Sequence, residues 1–318
     1  MRVLITGADG FAGRYLTQEL TSTGFQIHGT CFQPLSEPAP DVIYHTVDLR
    51  DEQAVDALIS EIQPDQIYHL AGTANVGQSY KAAWRTLENN IHAQLNLTLA
   101  CLKSGIQPRI LVISSGDIYG DQLTEHPATE DTPLRPSNPY SVSKVTQDML
   151  ALQYYISNDL PIMRARPFNH LGPGQAPGFV APDFGLQIAQ IEAGQKEPIM
   201  HVGTLSAERD FTDVRDVMHA YRLIMEQGIP GEVYNVASGA TWRIGDLLKT
   251  LLSYSNLDIK VETDTARLRP GQISKVWGDA TRLRTATGWQ PTIPLRQTLR
   301  DVLEDCRQRI QTPTKESK

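Results

Sequence analysis

The apolar run Val3-Leu4-Ile5 breaks at once into Thr6-Gly7-Ala8-Asp9-Gly10-Phe11-Ala12-Gly13. A strand that ends in a glycine-rich turn and feeds a helix leaves few folds open to a chain. The helix is marked by Tyr15, Leu16 and Leu20 at apolar spacing. Glycine suits the sharp turn and lets backbone approach a bulky ligand closely. The helix start then offers free N–H groups and the positive end of its dipole, a setting suited to a pyrophosphate. Gly7, Gly10 and Gly13 give the spacing G-x-x-G-x-x-G.

Strand-like runs alternate with helical ones through the first half. Residues 26–32, 42–49, 66–71 and 109–115 are short, rich in β-branched or aromatic residues and bounded by turn residues. Helical stretches at 52–62 and 86–103 lie between them. The alternation predicts an α/β fold, a Rossmann-type doubly wound parallel sheet. Residues 169–184 hold Gly172-Pro173-Gly174, Pro177, Gly178 and Pro182 with little periodicity, and read as a functional loop. A strand returns at 232–237, and 294–310 forms a last amphipathic helix. We divide the chain into a dinucleotide-binding domain (1–168 with about 213–240), a smaller α/β substrate lobe (169–212 and 241–310) and a flexible tail (311–318).

A chain of 318 residues with net charge −7 has room for a large core and shows no basic footprint for nucleic acid or a membrane surface. Its apolar runs are too short to span a bilayer. Met1-Arg2 leads straight into the first strand, so no signal peptide is expected. The three cysteines, Cys31, Cys101 and Cys306, are widely spaced and suggest neither disulfides nor zinc. A reducing cytoplasm is the expected location.

The segment Ser137-Asn138-Pro139-Tyr140-Ser141-Val142-Ser143-Lys144 opens a helix, with Ser137 or Asn138 as cap and Pro139 in the first turn. Tyr140 and Lys144 are four apart and share a face. A lysine beside a phenol is expected to lower the tyrosine pKa toward the working pH and make it a usable acid or base. The strand at 109–115 ends in Ser114-Ser115-Gly116-Asp117-Ile118-Tyr119-Gly120. Its terminal hydroxyls fall on the rim where such sheets bind ligands.

With these three motifs in order, the chain resembles the extended short-chain dehydrogenases/reductases over essentially its whole length. The resemblance implies that Gly7, Gly10, Phe11, Ala12 and Gly13 hold the pyrophosphate of a nicotinamide cofactor. Asp48 and Leu49 would stand beside its adenine, and Leu70, Ala71 and Gly72 on the rim that carries it. Asn90 would support the site. Ser115 would hydrogen-bond the reacting oxygen, Tyr140 would exchange its proton, and Lys144 would hold the nicotinamide ribose.

The second half is similar to the nucleotide-sugar branch of that family. Arg166-Pro167-Phe168-Asn169 matches R-x-F-N, Arg209-Asp210-Phe211 matches R-D-F/W, and Arg269-Pro270 matches R-P. The resemblance implies that Asn169, Arg209 and Arg269 meet a diphosphate. On the residues alone, Arg209 reads rather as a salt bridge to Asp210 or Asp213, and Arg269 as a solvated loop charge. The string Phe168-Asn169-His170-Leu171-Gly172-Pro173-Gly174-Gln175, followed by Gly178-Phe179-Val180, looks like the GDP-4-dehydro-6-deoxy-D-mannose reductases, which form GDP-D-rhamnose. That implies a GDP-linked 4-keto-6-deoxy sugar as partner, with Val180 among the substrate contacts.

GDP-mannose 4,6-dehydratases are the main alternative. They need a further acid/base group, and their pattern after the strand is Thr, a polar residue, then Glu. Here Gly116 and Asp117 follow Ser115. A 4-epimerase, or a cofactor-binding protein without catalysis, also remains open. Asp117 reads either as orienting sugar hydroxyls or as capping the turn. His170 is the one loop histidine placed for substrate contact, and no histidine spacing suggests a metal. The second strand ends without a carboxylate, in Gly29-Thr30-Cys31-Phe32-Gln33, which favours NADPH with NADH tolerated. Arg14 would have to reach across to a 2′-phosphate. The helices at 86–103 and 139–156 carry apolar residues on several sides, including Leu95, Leu97 and Leu99, which intramolecular packing would also explain. The resemblance implies that these two helices pair with those of a second copy in a four-helix bundle, a C₂ homodimer.

Overall fold

The computed structural model describes residues 1–121, 126–265 and 274–311. The elements run β1 (Arg2–Thr6), α1 (Phe11–Thr21), β2 (Gln26–Cys31), β3 (Val42–Thr46), α2 (Glu52–Ile62), β4 (Gln66–His69), α3 (Val76–Lys81), α4 (Ala83–Lys103) and β5 (Arg109–Ile113). A 3₁₀ turn (Gly116–Tyr119) precedes α5 (Pro139–Asn158), β6 (Ile162–Pro167), β7 (Asn169–Leu171), α6 (Val180–Glu192), β8 (Ile199–Val202) and β9 (Glu208–Asp213). Then come α7 (Val214–Gln227), β10 (Val233–Val236), β11 (Thr241–Arg243), α8 (Ile244–Leu252), β12 (Lys260–Thr263), β13 (Lys275–Val276), α9 (Thr281–Thr287) and α10 (Leu295–Gln311).

Seven strands form one sheet in the order β10-β6-β5-β4-β1-β2-β3, and each neighbouring pair is parallel. The chain winds outward from β1 in one direction, then restarts at β4 and winds the other way. The two connections therefore diverge at the C-terminal ends of β1 and β4 and open a crevice there. One sheet face is covered by α1, α7 and α9 through Leu16, Leu20, Val217, Tyr221 and Leu283. The other is covered by α2, α4 and α5 through Val55, Leu58, Leu97 and Ala151.

A second core lies among α6, α8, α10, β8 and β9, with Ile188, Leu247, Leu299 and Val202 fully buried. Val276, Ala280, Leu283 and Trp289 pack into the first core, although they fall within the 241–310 stretch that the sequence places in the substrate lobe. Trp289 is fixed there by an indole N–H donated to the Asp216 carbonyl at 2.9 Å.

The segment 169–184 is not a plain loop. Asn169–Leu171 pairs in parallel with Phe211–Asp213, and α6 begins at Val180. A three-residue strand leaves no periodicity to read. Pro182 sits in the first turn of α6, where a missing N–H costs nothing. Leu97 is buried in the first domain, not displayed for a partner.

The catalytic-helix candidate α5 starts on a full capping box. Asn138 accepts from Ser141 N at 2.8 Å, and Ser141 Oγ accepts from Asn138 N at 3.2 Å. Lower on the same helix, the buried Asp148 carboxylate accepts from Arg164 Nη1 at 2.9 Å and from Arg166 Nε at 2.8 Å. Arg166 also donates to Tyr119 Oη at 2.9 Å, and Tyr119 donates to Asn235 Oδ1 at 2.7 Å. Removing one member of such a buried network leaves charges without partners. Asp148→Ala is therefore expected to cost roughly 3–5 kcal/mol, measured by denaturant unfolding. A loss below about 1 kcal/mol, the range of exposed pairs, would contradict this account.

Candidate active site

At the β1 end, Gly7 takes φ +68°, and a Cβ there would stand 3.0 Å from Ala71 Cα. Only glycine lets the two strand ends come this close. Gly13 is as constrained, since a Cβ would fall 2.2 Å from the Gly7 carbonyl oxygen. The N-cap of α1 is Gly10, and no side chain caps the helix. The first N–H groups at Phe11 and Ala12 therefore point at whatever occupies the crevice, a fit for a pyrophosphate.

The β4 end is fixed from below. Thr6 Oγ1 accepts from Ala71 N at 3.1 Å and hydrogen-bonds His69 Nδ1 at 2.9 Å. His69 is fully buried, and burial with the nearby Lys144 charge pulls its pKa down to about 3, so it stays neutral. Gly72 approaches Asn90, with a Cβ there falling 2.8 Å from Asn90 Oδ1. Asn90 Oδ1 accepts from Thr73 N at 2.7 Å, and its Nδ2 donates to Ser143 Oγ at 2.8 Å. Asn90 thus ties the Gly72-Thr73 rim to the catalytic-helix candidate. Ser143 had only its place between Tyr140 and Lys144 to mark it in the sequence.

After β3, Asp48 forms an ion pair with Arg50 at 2.6 Å. Leu49 is buried, its carbonyl accepting from Asn96 Nδ2 at 3.0 Å. Leu70 and Ala71 pack against the cores of the two sheet faces. Arg14 is exposed and donates Nε to the Asp9 carbonyl at 2.9 Å. It lines a cavity of about 650 Å³ with Asp9, Thr17, Ser36 and Tyr44, next to the glycine turn.

Ser115, Tyr140 and Lys144 come together at the end of β5. Ser115 Oγ accepts from Asp117 N at 3.2 Å and stands near enough to the Tyr140 phenol to pull its pKa down. Ser115, not Asp117, therefore caps the 3₁₀ turn. Lys144 Nζ donates to the Ile113 carbonyl at 2.9 Å. The expected lowering of the tyrosine pKa is not what the structure gives. Burial raises the Tyr140 pKa, the Asp117 charge raises it further, and Ser115 opposes only in part. Lys144 is itself buried, which pulls its pKa down to about 8. The phenol is therefore held in its protonated form.

Asp117 faces both Tyr140 and Arg209. Burial raises its pKa and Arg209 opposes the shift. Arg209, on β9, donates to the Glu208 carbonyl at 2.7 Å and lies in the field of Asp117 and Asp121. It is not a salt-bridge partner of its neighbours in sequence. Asp210 is taken by Ser238 Oγ at 2.6 Å and Gly239 N at 2.9 Å. Asp213 is taken by Arg215 at 2.7 Å. The Asp117–Arg209 approach spans two lobes and had no local signal. Asn169 is exposed on β7, and Val180 heads α6. His170 stacks on Phe11, with ring centroids 6.1 Å apart at 4°. Arg269 lies outside the described residues. Among the described residues no group of three His, Cys, Asp or Glu could hold a metal, and no helix is long and apolar enough to cross a membrane.

A helix start free for phosphate at one end of the crevice, with a proton-bearing tyrosine and its serine at the other, is how the extended short-chain dehydrogenases/reductases are built. Within that class, the chain belongs to the family described as GDP-mannose 4,6 dehydratase, which matches residues 4–302. It is 36% identical to a GDP-6-deoxy-D-mannose reductase of Pseudomonas aeruginosa, over 97% of this chain and 98% of that protein. A GDP-mannose 4,6 dehydratase of Arabidopsis thaliana is 26% identical over 95% of this chain and 86% of its own. The fold superposes on the structure of RMD from Pseudomonas aeruginosa complexed with NADPH, with TM-score 0.86 and 35% identity, covering 97% and 99% of the two chains. It superposes as well on the Thermus thermophilus UDP-glucose 4-epimerase complex with NAD, with TM-score 0.86 and 25% identity over 96% and 99%.

Folding penalises the charged form of Lys144, because its pKa falls from the ordinary 10.5 to about 8. That penalty is complete below about pH 8 and fades as the pH rises through 10.5. Lys144→Met is therefore expected to gain stability over the native chain at pH 7 and to lose most of that advantage by about pH 10.5, the ordinary lysine range. Unfolding midpoints of the cofactor-free proteins read this out. A difference that does not change with pH would contradict the burial of a charged amine.

Proposed function

We propose that this protein is an NAD(P)H-dependent nucleotide-sugar reductase that converts the C4 ketone of GDP-4-dehydro-6-deoxy-D-mannose to the alcohol of GDP-D-rhamnose. The observation that carries the reading is Gly116, which stands between Ser115 and Asp117 in the turn beside Tyr140 and is pressed against Phe168, so that position 116 holds no side chain. Reduction of a ketone needs one proton donor. Elimination of water needs a further acid/base group, and glycine supplies none. The likeness to a GDP-6-deoxy-D-mannose reductase supports the same direction.

The cofactor-binding residues proposed are Gly7, Gly10, Phe11, Ala12, Gly13, Asp48, Leu49, Leu70, Ala71, Gly72, Asn90, Tyr140 and Lys144, with NADPH preferred and NADH also accepted. The likeness to an NADPH complex supports that choice. A bound reduced nicotinamide supplies the hydride to C4. Ser115 donates a hydrogen bond to the carbonyl oxygen and polarises it. Tyr140 delivers its proton to that oxygen as charge develops there, and its raised pKa keeps the proton on the phenol until then. Lys144, whose Nζ donates to the Ile113 carbonyl, would hold the ribose hydroxyls of the cofactor. Arg209, with Asn169 and Arg269, takes the nucleotide diphosphate, since a planar guanidinium matches phosphate oxygens, and Val180 is a further substrate contact.

The test incubates the protein with NADPH and enzymatically generated GDP-4-keto-6-deoxymannose and identifies the product by NMR. Efficient conversion of GDP-mannose itself to the 4-keto sugar would replace the reductase reading with the dehydratase one. Tyr140→Phe keeps the ring and removes the proton. Its kcat is expected to fall roughly 10²–10⁴-fold while NADPH still binds, and near-normal turnover would remove Tyr140 as the acid.

Arg209→Ala tests the diphosphate grip. A charged hydrogen bond is worth on the order of 1.5–3 kcal/mol, so KM for the sugar nucleotide should rise about ten- to hundredfold and KM for NADPH should hold. An unaltered KM in a less stable protein would leave Arg209 with a purely packing role.

We further propose a cytoplasmic C₂ homodimer. The three cysteines are free and buried, in keeping with a reducing compartment. Leu99 on α4, with Val142, Met149 and Ile156 on α5, stands exposed on the face where a four-helix bundle would form. Light scattering at micromolar concentration is expected to give twice the 35.3 kDa chain mass, and a species of one chain mass would reject the dimer.

A further inference from the structure

The Phe168 ring is held between two glycines that come from distant parts of the chain. A methyl placed on Gly116 would lie 2.9 Å from Phe168 Cγ and Cδ1. A methyl on Gly278 would lie 2.3 Å from Cε2 and 2.6 Å from Cζ. Non-bonded carbons do not approach that closely, so the ring touches bare backbone on both sides. Tyr119 stacks on it as well, with centroids 6.1 Å apart at 20°. The ring is buried, and its backbone N–H is donated to the Val236 carbonyl at 2.9 Å.

The two glycines belong to the two halves of the site. Gly116 lies between Ser115 and Asp117, in the turn that faces Tyr140. Gly278 follows β13, in which Val276 is in register with Arg209. Gly278 N also donates to the carboxylate of Asp210, the residue after Arg209, at 3.4 Å. A phenyl ring has no internal freedom, and a packed interior compresses little. The ring therefore acts as a spacer of fixed width between the proton-transfer turn and the strand that carries Arg209.

We propose that Phe168 is a positioning residue that sets this spacing, so that a sugar nucleotide held by Arg209 presents its sugar carbon to Tyr140. The inference rests on the reading of Arg209 as the diphosphate grip. Binding a substrate at two ends makes the reacting atom sensitive to the distance between them, and a shift of about 1 Å can cost on the order of 10²-fold in rate.

The experiment compares the native protein with Gly278→Ala, Phe168→Leu and the double variant. The Gly278→Ala methyl pushes the ring, and kcat/KM for the 4-keto sugar nucleotide is expected to fall roughly ten- to hundredfold. The NADPH Kd, read by cofactor fluorescence, should stay unchanged. Phe168→Leu alone should also lose rate, because the spacer is narrowed. In the double variant the smaller side chain removes the two closest clashes and leaves only Ala237 Cβ, 2.8 Å from the new methyl, so at least half of the logarithmic loss of Gly278→Ala should return. Losses that simply add in the double variant, or a lower Tm with kcat/KM unaltered, would overturn the inference.

A native protein inactive on the 4-keto substrate would sink the reductase reading by itself. The spacing is then read by calorimetry from GDP-mannose, which spans both ends, against GDP, which spans one. Gly278→Ala should erase the tighter binding of GDP-mannose over GDP, and the double variant should restore it. No tighter binding of GDP-mannose in the native protein, or no change of the ratio in Gly278→Ala, would overturn the proposal.

Discussion

The Asp148 carboxylate is the constraint on which the rest of the site depends. It is fully buried on α5 and is satisfied by two arginines of β6. Two guanidinium groups and one carboxylate taken from water make a cluster that tolerates little displacement, since any movement strands a charge. The helix that carries Tyr140 and Lys144 is thereby fixed against the sheet. Arg166 extends the hold to Tyr119, and through Tyr119 to Asn235 on β10. The turn that bears Ser115 and Asp117 is fixed by the same network. Arg166, part of a motif shared with nucleotide-sugar enzymes, thus serves as a buttress beneath the site.

Above this base, the crevice follows from the order of the strands. β1 is the strand at which the winding reverses, so its C-terminal turn has no helix crossing over it. The close approach of Gly7 to Ala71 brings two strand ends within backbone contact. Thr6, His69 and Asn90 then occupy the polar groups beneath that rim. The neutrality of His69 belongs to this arrangement, because a charged imidazole next to Lys144 in a buried layer would repel it.

The electrostatics of the site suit a donor. Asp117 lies between a phenol and a guanidinium, and burial weakens the charged forms of all three. Tyr140 therefore waits with its proton on. A site that had to begin by removing a proton from an alcohol would need the opposite balance. In this chain Gly116, pressed against Phe168, leaves no room for a side chain at that one position, between Ser115 and Asp117.

Features that depend on near neighbours could be read from the sequence. The glycine turn, the Asn138 cap with Pro139 behind it, the Tyr140–Lys144 spacing and the alternating strands each need only a few consecutive residues to specify them. They sufficed for the doubly wound sheet, while Ser115, Tyr140 and Lys144 became a candidate set only through their resemblance to a family. Burial and distant contact decided the rest. The direction of the Tyr140 shift follows from desolvation and from Asp117, neither of which shows in a spacing of four residues. β7 exists only because β9 offers it a partner more than thirty residues later. Arg209 avoids its sequence neighbours because distant backbone groups and Arg215 had already taken them. The folded chain alone sets Phe168 between Gly116 and Gly278, since a contact between residues so far apart comes from packing and leaves no local pattern.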